Sequence, residues 1–309
     1  MKKIISAVIA FALLLVFSGC SIKKDEGKKV VLTSFYPMYI FTANLMNGID
    51  DIKVENMTEQ NVGCLHDYQL LSKDMKALAK CEAFVINGAG MEGFMEKAME
   101  QVSSLNVIEA STSIALIENE EHEHNDSHEE SEHNHEHETN SHVWLDVKNA
   151  IVQVKNISAG LQKSFPQYAQ RISANEQGYI SRLEALDTEI KNALADLSGS
   201  KIISFHEAYE YFAKAYSLEI LASIETDDGA EPSTKEISEL VETIKKNNVK
   251  ALFVEPTYSG NSAEILSRET AAKVYTLNPI TSGDGELNSY EAIMRSNVET
   301  IKKALGDAQ

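Results

Sequence analysis

The sequence predicts an α/β protein of two lobes joined by one long helix, and two observations support this. The first is that short runs of β-branched and aromatic residues alternate with longer stretches of helical periodicity. Strands separated by helices of this length are typical of βαβ units and parallel sheets. The predicted strands are 30–35, 83–86, 201–205, 251–254 and 273–277, and the predicted helices are 39–46, 68–79, 147–165, 233–247, 263–270 and 290–304.

The second observation is one amphipathic segment between the two groups of strands, which predicts a helix over 166–197. At a rise of about 1.5 Å per residue it would span about 45 Å, the length of a two-lobed molecule. This helix divides the chain into an N-terminal lobe over 30–165 and a C-terminal lobe over 198–309. A coiled-coil helix that joins copies of the chain is the alternative, although we expect a monomer. The apolar positions, mostly three or four residues apart, are Ile172, Tyr179, Leu183, Leu186, Ile190, Leu194 and Leu197.

The N-terminus has the features of a lipoprotein signal peptide. Lys2 and Lys3 precede an apolar run of about fourteen residues, which is too short for a comfortable membrane span. The small residues Ser18 and Gly19 then precede Cys20, as in a lipobox. We therefore expect removal of 1–19, a lipid on Cys20 and a polar tether over 20–29, which would anchor the chain to the outer face of a membrane. An ordinary signal peptide with an incidental cysteine is the alternative.

A histidine- and acid-rich loop occupies 118–140. It has ten carboxylates and no lysine or arginine, and no apolar residue lies between Ile117 and Val143, so we expect it to be disordered. Imidazole and carboxylate groups are ligands that Zn²⁺ accepts, and the loop is therefore predicted to be a flexible chelator rather than merely a solvated acidic segment. Its histidines are His122, His124, His128, His133, His135 and His137.

The charge balance excludes nucleic acid as a partner. The formal net charge is −19, and ten of the negative charges lie in the loop. The remainder is that of an ordinary acidic protein without a basic stripe.

Two cysteines remain once Cys20 is assigned to a lipid. Cys64 and Cys81 form an even pair in a compartment where disulfides persist, so a bridge is predicted. Two free thiols, or Cys64 as a soft metal ligand, are the alternatives.

Only three histidines lie outside the loop: His66, His142 and His206. Each stands where a predicted strand or loop gives way to a helix. In open α/β sheets the ligand crevice lies at the carboxyl ends of strands, so the three imidazoles can converge in a cleft between the lobes. Three neutral imidazoles favour Zn²⁺, whereas Mn²⁺ sites depend more on carboxylates.

Several motifs together resemble the zinc- and manganese-type solute-binding lipoproteins of ABC importers, over about 30–309. The resemblance implies two four-stranded α/β lobes, a rigid linking helix and a metal ion held between the lobes. It also implies a membrane permease and its ATPase as partners. In chain order the motifs are the lipobox, Gly-Cys-Leu-His-Asp-Tyr at 63–68, the acidic loop, His-Val-Trp-Leu-Asp at 142–146, Ser-Phe-His-Glu-Ala-Tyr at 204–209, Glu-Pro-Ser at 231–233, Phe-Val-Glu-Pro at 253–256 and Leu-Asn-Pro at 277–279.

By this resemblance His66, His142 and His206 match the three histidine ligands of the zinc type, although Leu65 stands where proline is usual. The fourth position, commonly acidic in the manganese type, falls near Asn278, a weak neutral ligand. We therefore expect water or a nearby carboxylate there. Asp284 is the first candidate, and Asp227 or Asp228 is the next.

Two functional classes other than metal capture are open to such a chain, a zinc hydrolase and a surface adhesin. A zinc hydrolase would use the three histidines as ligands and Glu207 as base, but Glu210 stands where the zincin motif His-Glu-x-x-His requires histidine. We therefore predict that the protein is not an enzyme. A surface adhesin is the third class, for which the sequence shows no adhesion module or repeat.

Overall fold

The computed structural model describes residues 27–58, 68–102, 104–118, 139–224, 231–258 and 260–306. These residues form two four-stranded sheets, in each of which every neighbouring pair of strands is parallel. Helices flank both sheets. The predicted fold class, two mainly parallel α/β lobes with a long helix between them, is confirmed.

The first sheet has the strand order β2-β1-β3-β4. All four residues of the third strand, Ala83 to Ile86, are apolar and buried, as is typical of a parallel strand covered on both faces. The strands are β1 (Lys29–Thr33), β2 (Ile52–Asn56), β3 (Ala83–Ile86) and β4 (Val107–Glu109), and the helices are α1 (Tyr36–Leu45), α2 (Ser72–Leu78) and α3 (Glu96–Gln101).

A short antiparallel pair forms the base of the histidine-rich loop. Strands β5 (Ile117–Glu118) and β6 (Thr139–Asn140) pair Ile117 with Asn140 and Glu118 with Thr139. The prediction that 118–140 is disordered throughout is therefore wrong at both ends. The reason is tertiary, since the Tyr211 hydroxyl accepts a hydrogen bond from Ile117 N (2.9 Å) and donates one to Asn140 O (2.8 Å). The six loop histidines lie outside the described residues.

Two long helices connect the sheets. Helix α4 (Val147–Ser164) is followed by a 3₁₀ turn (Pro166–Tyr168), α5 (Ala169–Leu194) and a second 3₁₀ turn (Ala195–Leu197). The long helix predicted over 166–197 is thus present, with tightened turns at both ends. Helix α4 lies close on β4: a Cβ added to Gly160 would come within 2.6 Å of Ile108 Cγ2.

The second sheet has the order β10-β9-β7-β8. Helix α7 begins with a capping box: the Ser233 hydroxyl accepts from Glu236 N, and the Glu236 carboxylate accepts from Ser233 N. The strands are β7 (Lys201–Ser204), β8 (Glu219–Ser223), β9 (Ala251–Val254) and β10 (Lys273–Thr276), and the helices are α6 (Glu210–Ala215), α7 (Thr234–Asn247), α8 (Ser262–Thr270) and α9 (Ser289–Gly306).

One hydrophobic core extends through both lobes. It runs from Phe41 of α1 through Leu183 of α5 to Tyr290 of α9, all of which are essentially inaccessible to solvent. Smaller apolar clusters lie around Phe84 in the first sheet and around Leu252 in the second. Because the large core continues through α5, the two lobes are packed on a common helix rather than on a flexible linker.

The helix predicted over 68–79 begins later than expected, at Ser72. The Asp74 carboxylate accepts hydrogen bonds from Leu71 N (2.8 Å) and the Tyr68 hydroxyl (2.9 Å). An acidic side chain that satisfies a free N–H group at this point fixes the start of the helix there, and Tyr68 remains outside it.

Cys81 is half-buried, and its thiol Sγ donates a hydrogen bond to Leu78 O (3.3 Å). Burial raises the pKa of this thiol to about 11, which leaves it protonated and unreactive at neutral pH. Cys64 and Cys20 lie outside the described residues, so the bridge and the lipid remain predictions. Among the helices within the described ranges, none is both long and apolar enough to cross a bilayer.

Candidate metal centre

Two of the three predicted histidine ligands lie in the described part of the chain, one in each lobe. His142 follows β6 and immediately precedes a 3₁₀ turn, Val143–Leu145, that leads into α4. His206 lies two residues beyond the carboxyl end of β7, where an extended backbone directs the chain away from the sheet. His66 is outside the described residues.

The rings of His142 and His206 meet edge to face at the boundary between the lobes. Their Nε2 atoms are 3.0 Å apart, and the ring centroids are 4.8 Å apart with an interplanar angle of 86°. His142 is 1% exposed and His206 7%. Residues 64 positions apart are thus brought together by the fold.

This separation is close to what a zinc ion requires of two ligands. With zinc–nitrogen distances of about 2.0–2.1 Å and tetrahedral geometry, two imidazole nitrogens lie about 3.3 Å apart. The two rings would need to move apart by only a few tenths of an ångström to increase the Nε2–Nε2 distance from 3.0 Å to that value. The described pair therefore fits as two of the ligands of one ion.

Asn140 contacts the Nδ1 side of the His142 ring. Its Oδ1 accepts a hydrogen bond from His142 N (2.9 Å) and lies 3.1 Å from His142 Nδ1. Its Nδ2 donates to Glu207 O (2.8 Å) and Glu210 Oε2 (3.2 Å), both beyond His206 in the second lobe. One side chain therefore connects the surroundings of both histidines.

Trp144 fixes the segment after His142. Its indole N–H donates to Pro279 O (2.8 Å) in the second lobe, and its ring packs against Phe35 with centroids 5.0 Å apart. Its carbonyl accepts from the Tyr290 hydroxyl (2.8 Å). The only tryptophan of the chain is therefore a docking residue between the lobes, 5.2 Å from the His142 ring.

A buried polar network supports the other side of His142. Asn87, just beyond β3, donates through Nδ2 to Ser141 O (3.0 Å) and accepts from Gln153 Nε2 (2.8 Å). Glu92 accepts from Asn87 N (2.7 Å), the Ser34 hydroxyl (2.8 Å) and Gly88 N (2.9 Å). These bonds tie the backbone before His142 to the carboxyl edge of the first sheet.

Comparison with known proteins now identifies the family. A family model described as "ZnuA: Zinc-uptake complex component A periplasmic" matches residues 31–304. The chain belongs to the ZnuA family.

Individual relatives agree with this assignment. "High-affinity zinc uptake system protein ZnuA" of Bacillus subtilis (strain 168) is 32% identical over 314 residues, which is 96% of each chain. "Zinc-binding protein AdcA" of Streptococcus pyogenes serotype M3 is 30% identical over 293 residues, 90% of this chain and 56% of that protein. The chain thus spans little more than half the length of AdcA. A solved structure described as "Crystal structure of ZnuA" has a TM-score of 0.77 and 25% identity, covering 90% of this chain and 99% of the other.

The two described candidates for the fourth ligand, Asp284 and Asn278, each accept a hydrogen bond from the backbone two residues later. Asp284 is exposed, and its carboxylate accepts from Glu286 N (3.0 Å), a contact that lowers its pKa. Asn278 Oδ1 accepts from Ile280 N (2.7 Å) within its own loop. Within the described ranges, no cluster of three or more His, Cys, Asp or Glu side chains is placed to hold a metal. Asp227, Asp228 and His66 lie outside those ranges.

Sequence reasoning missed Asn140 as a polar contact of His142, and it quoted Glu255 only as part of the Phe-Val-Glu-Pro motif. Glu255 directly follows β9. Ser204 of β7 pairs with Phe253 of β9, so His206 and Glu255, each two residues further along its chain segment, follow the same level of the sheet. The pKa of Tyr209 is raised well above its ordinary value by burial and, secondarily, by the Glu255 charge. The position of Glu255 after a buried strand was the available signal. No sequence pattern indicated Asn140, because its role depends on contacts between the lobes.

Proposed function

We propose that this chain captures Zn²⁺ outside the cytoplasm and delivers it to a membrane permease driven by an ATPase. The observation that carries the proposal is the buried His142–His206 pair, whose Nε2 atoms, one from each lobe, are 3.0 Å apart in a ZnuA-family chain. The relatives' names, a zinc-binding protein and a high-affinity zinc uptake protein, support zinc as the cargo. As a member of this family the protein is a binding component and not an enzyme.

The proposed ligand set consists of His142, His206 and His66, with Asp284 as the candidate for the fourth position. Three imidazoles suit Zn²⁺ better than Mn²⁺, because manganese binds preferentially to hard oxygen ligands. Burial of the described pair excludes competing water and strengthens selection by ligand type. Zinc should therefore displace manganese from this site.

The location of the protein is extracytoplasmic, as for its family. We further propose that 1–19 is removed, that Cys20 carries the lipid and that 20–29 is the tether of a monomer. The proposed lobes are 30–165 and 198–309, on either side of the linking helix. The relative named "Zinc-binding lipoprotein AdcA" from Streptococcus pneumoniae, 30% identical over 310 residues, supports the lipid.

The loop histidines, from His122 to His137, are proposed to bind additional zinc near the mouth of the cleft. The loop base is β5–β6, and the last residue of β6 contacts His142. Only Ser141 therefore lies between the end of the loop and His142. Capture by the loop followed by transfer to the cleft is compatible with this connection.

The proposal is tested by zinc uptake in cells that lack the gene. Under zinc limitation, the unaltered chain should restore uptake of radioactive zinc. His206→Ala should not, because one cleft ligand is missing. His122→Ala is the matched control, since it removes one imidazole from the loop and should restore uptake. Full uptake with His206→Ala, or restoration of manganese uptake alone, would contradict the proposal.

A further inference from the structure

Asn140 is a buried side chain whose two ends contact different lobes. It ends β6, two residues before His142, and is 2% exposed. Its carbonyl oxygen Oδ1 faces His142, and its amide nitrogen Nδ2 faces Glu207 and Glu210.

The orientation of the Asn140 amide is determined by partners that cannot change roles. Glu207 O is a backbone carbonyl and only accepts, so the group 2.8 Å from it must be the NH₂. His142 N is a backbone N–H and only donates, so the group 2.9 Å from it must be the carbonyl oxygen. In a flipped amide, the NH₂ group would face the N–H of His142, and the carbonyl oxygen would face the carbonyl oxygen of Glu207.

The amide orientation in turn selects the tautomer of His142. Oδ1 can only accept, so its 3.1 Å contact with Nδ1 is a hydrogen bond only when Nδ1 carries the proton. In a neutral imidazole the lone pair then lies on Nε2, the atom that faces His206 Nε2 at 3.0 Å.

We propose that Asn140 is a positioning residue that holds His142 as the Nδ1–H tautomer and so directs the Nε2 lone pair at the metal. This inference rests on the proposed zinc function and deepens it. Because the same amide donates to Glu207 O, one residue after His206, docking of the second lobe reinforces the amide orientation that His142 N already favours. Metal-ligating histidines depend on such partners for ring orientation and ligand strength.

Two substitutions separate this role from general packing. Asn140→Leu removes the acceptor for Nδ1–H and the donor to Glu207 O, whereas Asn140→Asp keeps the acceptor, loses the donor and adds a negative charge beside Glu210. Asn156→Leu is the matched control, since Asn156 Nδ2 also donates to two backbone carbonyls, Ala110 O and Thr112 O, away from the histidines.

The first readout is the nitrogen-15 chemical shifts of His142 in the zinc-free chain, assigned by their loss in His142→Gln. The unaltered protein should show a protonated Nδ1 and an unprotonated Nε2, and Asn140→Leu should lose this pattern. A protonated Nε2 with bare Nδ1 in the unaltered protein would overturn the proposal. Since no zinc is present, this result stands apart from the proposed function.

The second readout is zinc affinity, measured by competition with a chelator. Asn140→Leu should weaken binding about 10- to 100-fold, Asn140→Asp should recover most of that loss, and Asn156→Leu should leave affinity unchanged. Unchanged affinity in Asn140→Leu, or equal losses in the Leu and Asp variants, would overturn the tautomer role. If Asn140→Leu does not fold, the shifts of the unaltered protein decide alone. Failure of the unaltered chain to bind zinc would instead refute the proposed function.

Discussion

Glu92 is a carboxyl group that is buried inside the first lobe and hydrogen-bonded by three donors. Desolvation raises its pKa to about 7, against the opposing effect of the Asn87, Ser34 and Gly88 donors. The folded state thus retains a proton that the unfolded state releases near pH 4.5. Since the folded state binds more protons between these values, stability falls as pH rises from about 4.5 to 7.

Glu92→Gln should remove this part of the pH dependence. From about pH 4.5 to 7, the contribution of Glu92 to the free energy of unfolding should decline by up to roughly 3 kcal/mol, and the Gln variant should lack that decline. The Gln variant should also be less stable at pH 4.5, because its NH₂ cannot accept a hydrogen bond. Urea unfolding of the zinc-free chain at several pH values measures both effects. The exposed Glu184→Gln is the control, and identical pH profiles for unaltered and Glu92→Gln protein would contradict the account.

The sequence allowed part of the site to be predicted at the level of residues. The convergence of His142 and His206 could be predicted because each stands where a strand or loop gives way to a helix, and His206 lies beyond the carboxyl end of a strand in a parallel sheet. The contacts of Asn140 could not be predicted, because Glu207 comes within 2.8 Å only after both lobes have packed on α5. Asp284 is predicted as a carboxylate in the polar loop near Asn278, and in the structure its carboxylate hydrogen-bonds with Glu286 N and the Ser289 side chain.

At the level of elements, Arg182 of α5 joins helices from both lobes. Its Nε donates to Glu291 Oε1 of α9 (2.9 Å), and its Nη2 donates to Asn44 Oδ1 of α1. Its guanidinium also lies 4.7 Å from the centre of the Tyr179 ring. The Glu291 side chain is only 4% exposed, so its charge depends on this partner.

Arg182→Ala should therefore destabilise the protein by about 2–4 kcal/mol, because it leaves a buried carboxylate without its cation. Arg295→Ala is the matched control on α9, since Arg295 pairs with Glu189 of α5 at 2.9 Å but both side chains are about half exposed. That substitution should cost less than about 1 kcal/mol. Urea unfolding of the two variants provides the comparison, and equal losses would show that burial of Glu291 does not determine the effect.

Long elements were more predictable than short ones. Helix α5 contains six of the seven predicted apolar positions at helical spacing, and Leu197 lies in the 3₁₀ turn that follows it. Strand β4 has three residues and β8 has a mixed, half-buried pattern, so neither has a periodicity that could be recognised. These strands are stabilised mainly by pairing with β3 and β7, which local sequence does not encode.

At the level of the whole molecule, the continuous core and α5 hold the lobes together whether or not the loop is present. Excision of 119–138 should therefore preserve the cleft site. Glu118 and Thr139 are cross-strand partners, so a two-residue Asn-Gly turn can close the gap and leave Asn140 in place. The shortened chain should retain one tight zinc and lose weaker sites, as native mass spectrometry can count. Loss of the tight zinc would show that the loop supplies primary ligands.

The most direct test of the central claim is the zinc affinity of this loop-excised chain with and without the cleft histidines. Competition titration should give one tight zinc for the parent chain. His142→Ala and His206→Ala should each weaken binding by more than about 100-fold, while circular dichroism shows the fold unchanged, because each removes one ligand that the fold places in advance. Tight one-to-one zinc binding in either variant would contradict the claim that the two lobes hold the ion between His142 and His206.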